Sequence, residues 1–310
     1  MASDIDQDRR RWLGTAAMAA AAAGFGVLGP PTTLMAEAMP ARPPGTKGRT
    51  AMAFGPLKQI DAGLLNIGYA EAGPATAAPV LLLHGWPYDI HSFVDVAPLL
   101  AAAGFRVIAP HLRGHGTTRF LSSATIRNAQ QSVVALDIVA LMDALKIERA
   151  ILAGYDWGAR TANIIAALWP ERCTAMVSVN GYLINNVERN KLPLPPNVEH
   201  GWWYQFYFAT DRGRAGYDAN RRDWRLGLAD GELRYAELER RLALGPVIAA
   251  PTITLDGDSD GVAPASDGTA YAARFSGKRT HRIITGAGHN LPQEVPRAFA
   301  DAVINVAGYQ

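Results

Sequence analysis

Arg149-Ala-Ile-Leu-Ala153, Gly154-Tyr155-Asp156-Trp157-Gly158 and Ala159-Arg-Thr-Ala-Asn-Ile-Ile-Ala-Ala167 stand end to end. An apolar run, a tight turn hemmed by small residues and a helical stretch together predict a strand, an elbow and a helix. Such an elbow lifts one side chain clear of a sheet at a helix N-terminus. Serine is the usual occupant, and here it is Asp156. A serine attacks carbonyls, whereas a carboxylate can displace a leaving group from saturated carbon and become an alkyl ester. Asp before a helix is also a common N-cap, so the neighbouring segments decide the matter.

Upstream, Pro79-Val-Leu-Leu-Leu-His84-Gly85-Trp86-Pro87 is a continuous apolar run that ends in a turn. An unbroken run of this kind predicts a strand buried on both faces of a parallel sheet. Downstream, Pro251-Thr-Ile-Thr-Leu255 leads into Asp256-Gly257-Asp258-Ser259-Asp260, and Thr280-His-Arg-Ile-Ile-Thr285 leads into Gly286-Ala-Gly288-His289-Asn290. Each candidate group falls just past a strand end, where open α/β sheets bind ligands. The chain order is nucleophile, acid, histidine.

Periodicity supplies the frame. Leu57 to Asp61 and Leu64 to Glu71 suggest an opening antiparallel pair, followed by strands near Val80, Phe105 to Pro110, Ala150 to Ala153 and Ala175 to Asn180. Helical stretches near Phe93 to Ala103, Asn128 to Leu145 and Ala159 to Trp169 alternate with them. That alternation predicts an α/β protein with a mostly parallel sheet and helices on both faces. It breaks over 181–249 and resumes at Pro251.

Taken with these segments, four motifs in order resemble the epoxide hydrolase and haloalkane dehalogenase branch of the α/β-hydrolase superfamily: His84-Gly85-Trp86-Pro87, Leu112-Arg113-Gly114-His115-Gly116, the Asp156 elbow, and Gly288-His289 followed by Glu294-x-Pro296. The resemblance runs from about Gly55 to the C-terminus. It implies the α/β-hydrolase fold with core segments 51–180 and 250–310 around a shortened helical cap, 181–249. It further implies Asp156 as nucleophile, His289 as the base for the hydrolytic water, and Asp260 as the carboxylate orienting that imidazole. Asp260 is preferred over Asp258 by the family spacing Gly-x-x-Asp alone. The backbone N–H groups of Trp86 and Trp157 are the expected oxyanion hole. His84, Pro87 and Arg113 are expected to be structural near the site, with Pro87 cis and Arg113 tying loops together.

The leaving group separates two chemistries. An opened epoxide leaves an alkoxide that needs a proton donor, whereas a halide needs only a cradle of N–H groups. Trp202-Trp203-Tyr204-Gln205-Phe206-Tyr207-Phe208 resembles the cap segment of epoxide hydrolases that presents such a donor, with Tyr204 in its place. A second cap tyrosine is expected in those relatives. Here Asn220-Arg-Arg-Asp-Trp224 runs straight into Arg225-Leu-Gly-Leu-Ala-Asp-Gly231, and neither Tyr217 nor Tyr235 stands in the expected context. The expectation is an epoxide hydrolase that takes a small-molecule substrate, an epoxide or organohalide, and needs no cofactor and no metal. The alternatives are a haloalkane or haloacid dehalogenase with the same triad, in the haloacid case with Arg160 as the nearest carboxylate clamp, or a catalytically impaired hydrolase-fold binding protein.

Composition narrows the classes. Of 310 residues, 49% are hydrophobic and 19% charged, an ordinary globular balance that argues against disorder. A net charge of +2 carries no nucleic-acid signature. Cys173 is the sole cysteine, so no internal disulfide can form. At the N-terminus, Asp8-Arg9-Arg10-Arg11-Trp12-Leu13-Gly14 before an Ala/Gly-rich apolar stretch resembles a twin-arginine export signal. Residues 1–38 are therefore expected to direct export to the periplasm, touching the membrane only in transit, or to anchor the chain there if uncleaved. Residues 39–50, rich in proline and glycine, read as a linker.

Overall fold

The structure is a computed structural model that describes residues 54–186, 192–219 and 232–309, all within the compact unit Thr50–Gln310. The expected export signal, 1–38, and linker, 39–50, lie outside the described residues, as does Asn220–Gly231 in the cap. Among the described residues no helix is long and apolar enough to cross a membrane.

The strands are β1 (Lys58–Ala62), β2 (Leu65–Ala72), β3 (Pro79–Leu83), β4 (Arg106–Pro110), β5 (Arg119–Phe120), β6 (Ala150–Gly154), β7 (Cys173–Val179), β8 (Thr252–Gly257) and β9 (Arg279–Ile284). They form one sheet in the order β1-β2-β4-β3-β6-β7-β8-β9, with β5 paired to β2. From β4 to β9 every neighbouring pair is parallel, and the antiparallel pairings all involve β2. The helices are α1 (Val96–Ala102), α2 (Gln131–Ala144), α3 (Trp157–Leu168), α4 (Pro196–Gly201), α5 (Trp203–Ala209), α6 (Asp211–Ala219), α7 (Ala236–Ala243), α8 (Leu291–Glu294) and α9 (Pro296–Ala307).

The unbroken apolar run in β3 has a direct packing cause. Leu81 and Leu83 join Leu152 of β6 in a core beneath α2 and α3. Val80 and Leu82 join Ile151 and Ala153 in a second core beneath α1 and α9, filled by Phe299 and Val303. Alternate side chains thus enter opposite layers, and the helices cover both faces, which is why period-2 amphipathicity is missing from the sequence.

Two expected helices start late. The stretch from Phe93 is preceded by a 3₁₀ turn, Ile90–Phe93, that Asp89 caps by accepting the His91 N–H at 2.9 Å, and α1 begins only at Val96. Helix α2 begins at Gln131 rather than Asn128, because the Asn128 carbonyl accepts from Arg113 Nη1 at 2.7 Å and is held in the loop. The two-residue β5 is too short to carry a pattern of its own. Between β7 and β8, which are sheet neighbours, the described chain holds α4 to α7 and no strand of the sheet. Tyr217 falls in α6, and Tyr235 ends a 3₁₀ turn, Leu233–Tyr235.

Candidate active site

Five adjacent strands, β3, β6, β7, β8 and β9, release their C-terminal loops side by side. Asp156 follows β6 at the start of α3 with φ +51° and ψ −124°, a conformation rarely taken by a residue with a side chain. The sequence permits this turn because glycine stands where the chain is most crowded. A Cβ on Gly158 would collide with the Leu83 carbonyl, and one on Gly85 would lie 2.5 Å from Asp156 Cβ.

The two oxygens of Asp156 have different surroundings. Oδ1 accepts the Trp86 N–H at 2.7 Å, and Oδ2 lies 3.6 Å from His289 Nε2. Burial works against the charge of this carboxyl, but His289 and the N–H groups of Trp157 and Trp86 outweigh it and hold the group below the usual carboxylate range.

On its other side, His289 donates Nδ1–H to Asp260 Oδ2 at 2.9 Å. The Asp260 carboxylate is fully engaged. Its Oδ1 accepts from Val262 N at 2.7 Å and Ala263 N at 2.9 Å, and its Oδ2 also accepts from Asn180 Nδ2 at 3.2 Å. Asp258 instead turns away to accept the Gly286 N–H at 2.7 Å. Burial opposes a charge on His289, yet the carboxylates of Asp156 and Asp260 prevail and raise its pKa to about 9.

The loop that presents His289 is fastened from both sides by Glu294, which accepts the Gly288 N–H at 2.6 Å and the Asn290 N–H at 3.1 Å. That is the physical content of the Gly288-His289 and Glu294 spacing. Behind the site, Ser92 Oγ lies 2.7 Å from Tyr155 Oη and accepts from Asn290 Nδ2 at 3.0 Å. The residue before Asp156 and the residue after His289 are therefore bridged by one buried hydroxyl. Ser92 and Asn180 carry no local signal in the sequence, since their partners are far away along the chain.

His84 is fully buried, and its Nε2 accepts the Leu112 N–H at 3.1 Å, which requires the neutral ring with its proton on Nδ1, 3.0 Å from the Gly85 carbonyl. Burial pushes its pKa down to about 3, consistent with that neutral state. The ring thus braces the turn carrying Trp86, and the Trp86–Pro87 bond is cis. Arg113 is buried and grips Asp137 of α2 through Nε at 2.6 Å and Nη2 at 2.8 Å, tying the loop after β4 to that helix. Among the described residues its hydrogen bonds go to Asp137 and Asn128 and not to Asp156 or His289.

From the cap, Tyr204 of α5 stacks on Trp86, ring centroids 5.9 Å apart and planes 18° from parallel, while Phe208 meets the same indole edge-on. Trp202 Nε1 donates to the Val262 carbonyl at 3.1 Å, which fastens the cap to the loop of Asp260. Among the described residues no group of three or more His, Cys, Asp or Glu side chains could hold a metal ion.

Comparison with known proteins gives a consistent set of likenesses. Residues 78–222 match the family described as the alpha/beta hydrolase fold. A crystal structure from Klebsiella pneumoniae, assigned provisionally as an epoxide hydrolase, superposes with a TM-score of 0.78 at 50% identity, covering 84% of this chain and 99% of that one. Epoxide hydrolase B of Mycobacterium tuberculosis is 32% identical over 177 residues, 51% of this chain and 48% of the relative. A haloalkane dehalogenase of Psychrobacter cryohalolentis is 35% identical over 119 residues, 38% of this chain and 39% of the relative. The chain spans about half the length, 48%, of the first of these curated relatives.

Proposed function

Because this chain belongs to the α/β-hydrolase superfamily, on the branch of the epoxide hydrolases and haloalkane dehalogenases, we propose that it opens epoxides to diols through an ester on Asp156. The observation that carries this reading is the unequal setting of the two Asp156 oxygens. Oδ1 is held by the Trp86 N–H, while Oδ2 faces His289 Nε2 at 3.6 Å, too far for a hydrogen bond. Oδ2 is the nucleophile. It forms a bond to an epoxide carbon as the ring C–O bond breaks, and Tyr204 gives its proton to the alkoxide.

The same geometry serves the second half. In the ester, Oδ1 becomes the carbonyl oxygen and already accepts the Trp86 N–H at 2.7 Å; a donor that stabilises an oxyanion is worth about 3–4 kcal/mol in comparable sites. Once the ester has formed, the imidazole gives its proton to solvent, from which Tyr204 is reprotonated. Water then attacks the Asp156 carboxyl carbon as His289 takes one of its protons, the acyl C–O bond breaks, and the departing alkoxide takes the other from the new carboxyl group, so that the diol leaves with Asp156 ionised and His289 charged again. Asp260 holds the imidazole in the required tautomer throughout.

Charge makes the two halves sequential. With both carboxylates ionised, His289 is held protonated at neutral pH. Esterification removes the charge on Asp156, so the imidazole loses a proton more readily when a base is needed.

The test is covalent trapping. His289→Gln mixed with a panel of epoxides should accumulate an adduct on the peptide that contains Asp156, read by mass spectrometry, and Asp156→Asn should not. An adduct surviving in Asp156→Asn would overturn the assignment. The dehalogenase reading uses the same nucleophile and is separated by halide release from haloalkanes. We also propose that residues 1–38 direct export, which fractionation of cells expressing the full chain and an Arg9→Lys/Arg10→Lys variant tests.

A further inference from the structure

Trp202 stands at the junction of two cap helices, where α4 ends and α5 begins, and its indole reaches the core. Nε1 donates to the carbonyl of Val262 at 3.1 Å. That carbonyl belongs to the same peptide group as the Ala263 N–H, which donates to Asp260 Oδ1 at 2.9 Å. The two groups of a trans peptide point in opposite directions, so one planar unit faces the cap on one side and the triad acid on the other. Asp260 Oδ2 in turn accepts His289 Nδ1–H at 2.9 Å, and His289 Nε2 stands 3.6 Å from Asp156 Oδ2. A chain of polar contacts therefore runs from a cap side chain to the nucleophile.

Two features make this peptide responsive to its cap partner. At Gly261, between the acid and the relay, the loop is unpacked: a Cβ there would meet nothing within 4 Å among the described residues. The orientation of the next peptide groups therefore rests on their hydrogen bonds. A carbonyl that accepts a bond also polarises the N–H of its own peptide group and strengthens what that N–H donates to. The carboxylate depends on such donors. Burial opposes the charge on Asp260, and His289 with the Ala263 and Val262 N–H groups outweighs it and holds the carboxyl below its usual range. The opposite margin of the cap is fastened elsewhere. Gln131 exchanges two bonds with the Asn185 backbone, at 2.8 and 3.1 Å, and Glu239 accepts the Ser132 N–H at 3.0 Å. Those bonds end on α2 and not on a triad residue, whereas the Trp202 bond carries the position of the cap to the acid.

We infer that Trp202 is a positioning residue: through the Val262–Ala263 peptide it aligns Asp260 behind His289, so that the base for ester hydrolysis is fully set only when the cap is seated. Two residues on, the same segment places Tyr204 against Trp86, and so bears on both sides of Asp156. The two contacts serve different steps, Tyr204 the ring opening and Trp202 the hydrolysis that follows. This division of steps rests on the epoxide-opening reading above, but the link from indole to acid can be examined without turnover.

Trp202→Phe keeps an aromatic ring and deletes the donor, while the bonds at Gln131 and Glu239 keep the cap attached. Rapid-quench measurement with an epoxide that labels Asp156 should show ester decay slowed about 3- to 10-fold, the size of one neutral hydrogen bond, with ester formation within about twofold of wild type. Unchanged decay would overturn the inference. So would equal slowing of both steps, the mark of a displaced cap that takes Tyr204 with it. Amide hydrogen exchange, followed by NMR on the ligand-free protein, reads the relay alone. The Ala263 amide should exchange about 3- to 10-fold faster in Trp202→Phe, while the Trp86 amide, which lies under Tyr204 and would respond to movement of the whole cap, keeps its rate. An unchanged Ala263 rate, or equal acceleration of both amides, would sink the relay. Faster Ala263 exchange in a protein that opens no epoxide would keep the relay and sink the reaction instead.

Discussion

His289 Nε2 stands 3.6 Å from Asp156 Oδ2, close enough for the two charges to stabilise each other and too far for a hydrogen bond. With Asp260 on the opposite ring nitrogen, the imidazole is flanked by two carboxylates and its pKa reaches about 9. Asp156→Asn removes one of them and mimics the uncharged ester. The His289 pKa should fall in that variant, because burial then acts against Asp260 alone. An NMR titration of the imidazole C–H signals reads this directly, and an unchanged value would contradict the charge-gated sequence proposed above.

The same pair sets a pH dependence of stability. The His289 pKa is higher in the folded chain than the ordinary value of about 6.5. Its contribution is therefore complete below about 6.5 and disappears as the pH rises through about 9. Denaturant unfolding of wild type should lose more stability across that window than His289→Gln does. Parallel curves would show that the ion pair contributes nothing measurable.

Ser92 is predicted to matter through position. Its hydroxyl joins Tyr155 to Asn290, and so spans the elbow and the histidine loop. Ser92→Ala leaves the Tyr155 hydroxyl and one Asn290 N–H without that buried partner, at a cost of about 1–3 kcal/mol. Thermal melting should show the loss. A structural role alone would lower the melting point and leave the enzyme otherwise intact, whereas misplacement of His289 against Asp156 should lower kcat more than it raises KM, with the deficit persisting at temperatures where the variant is fully folded.

What could be read from the sequence divides by range. The parallel sheet follows from the alternation of apolar runs and helical stretches, and the elbow follows from small residues packed around Asp156, both local signals. Helix starts are shifted by tertiary hydrogen bonds, as when Arg113 takes the Asn128 carbonyl and delays α2 to Gln131. Glu294 is visible as part of a motif, but its task of accepting both N–H groups beside His289 emerges only when the loop closes. Ser92 and Asn180 are invisible in advance, because a serine in a 3₁₀ turn and an asparagine at a strand end have ordinary local explanations. Spacing alone favours Asp260 over Asp258, and in the fold Asp260 lies against the imidazole while Asp258 accepts the Gly286 N–H.

That contrast makes a paired test. Asp260→Asn should slow ester hydrolysis by about 100-fold or more, since an amide in that place favours the wrong imidazole tautomer. Asp258→Asn alters an exposed loop contact and should keep kcat within about twofold, in line with surface substitutions. Single-turnover decay of the trapped ester measures both. A larger loss from Asp258→Asn than from Asp260→Asn would reverse the assignment.

Tyr204 permits the sharpest separation of the two halves of the reaction. Its ring is fixed by stacking on Trp86, so Tyr204→Phe keeps the aromatic contact and deletes only the hydroxyl. If that hydroxyl protonates the alkoxide, ester formation should slow by about 100-fold or more, the lower end for general-acid catalysis. Ester hydrolysis, which uses Asp156, His289 and water, should continue at the wild-type rate. Rapid-quench measurement of adduct build-up and decay distinguishes these steps. Unchanged ester formation would remove Tyr204 from the mechanism, whereas a slowed decay would mean that the stack on Trp86 serves mainly to hold the N–H that supports Asp156 Oδ1.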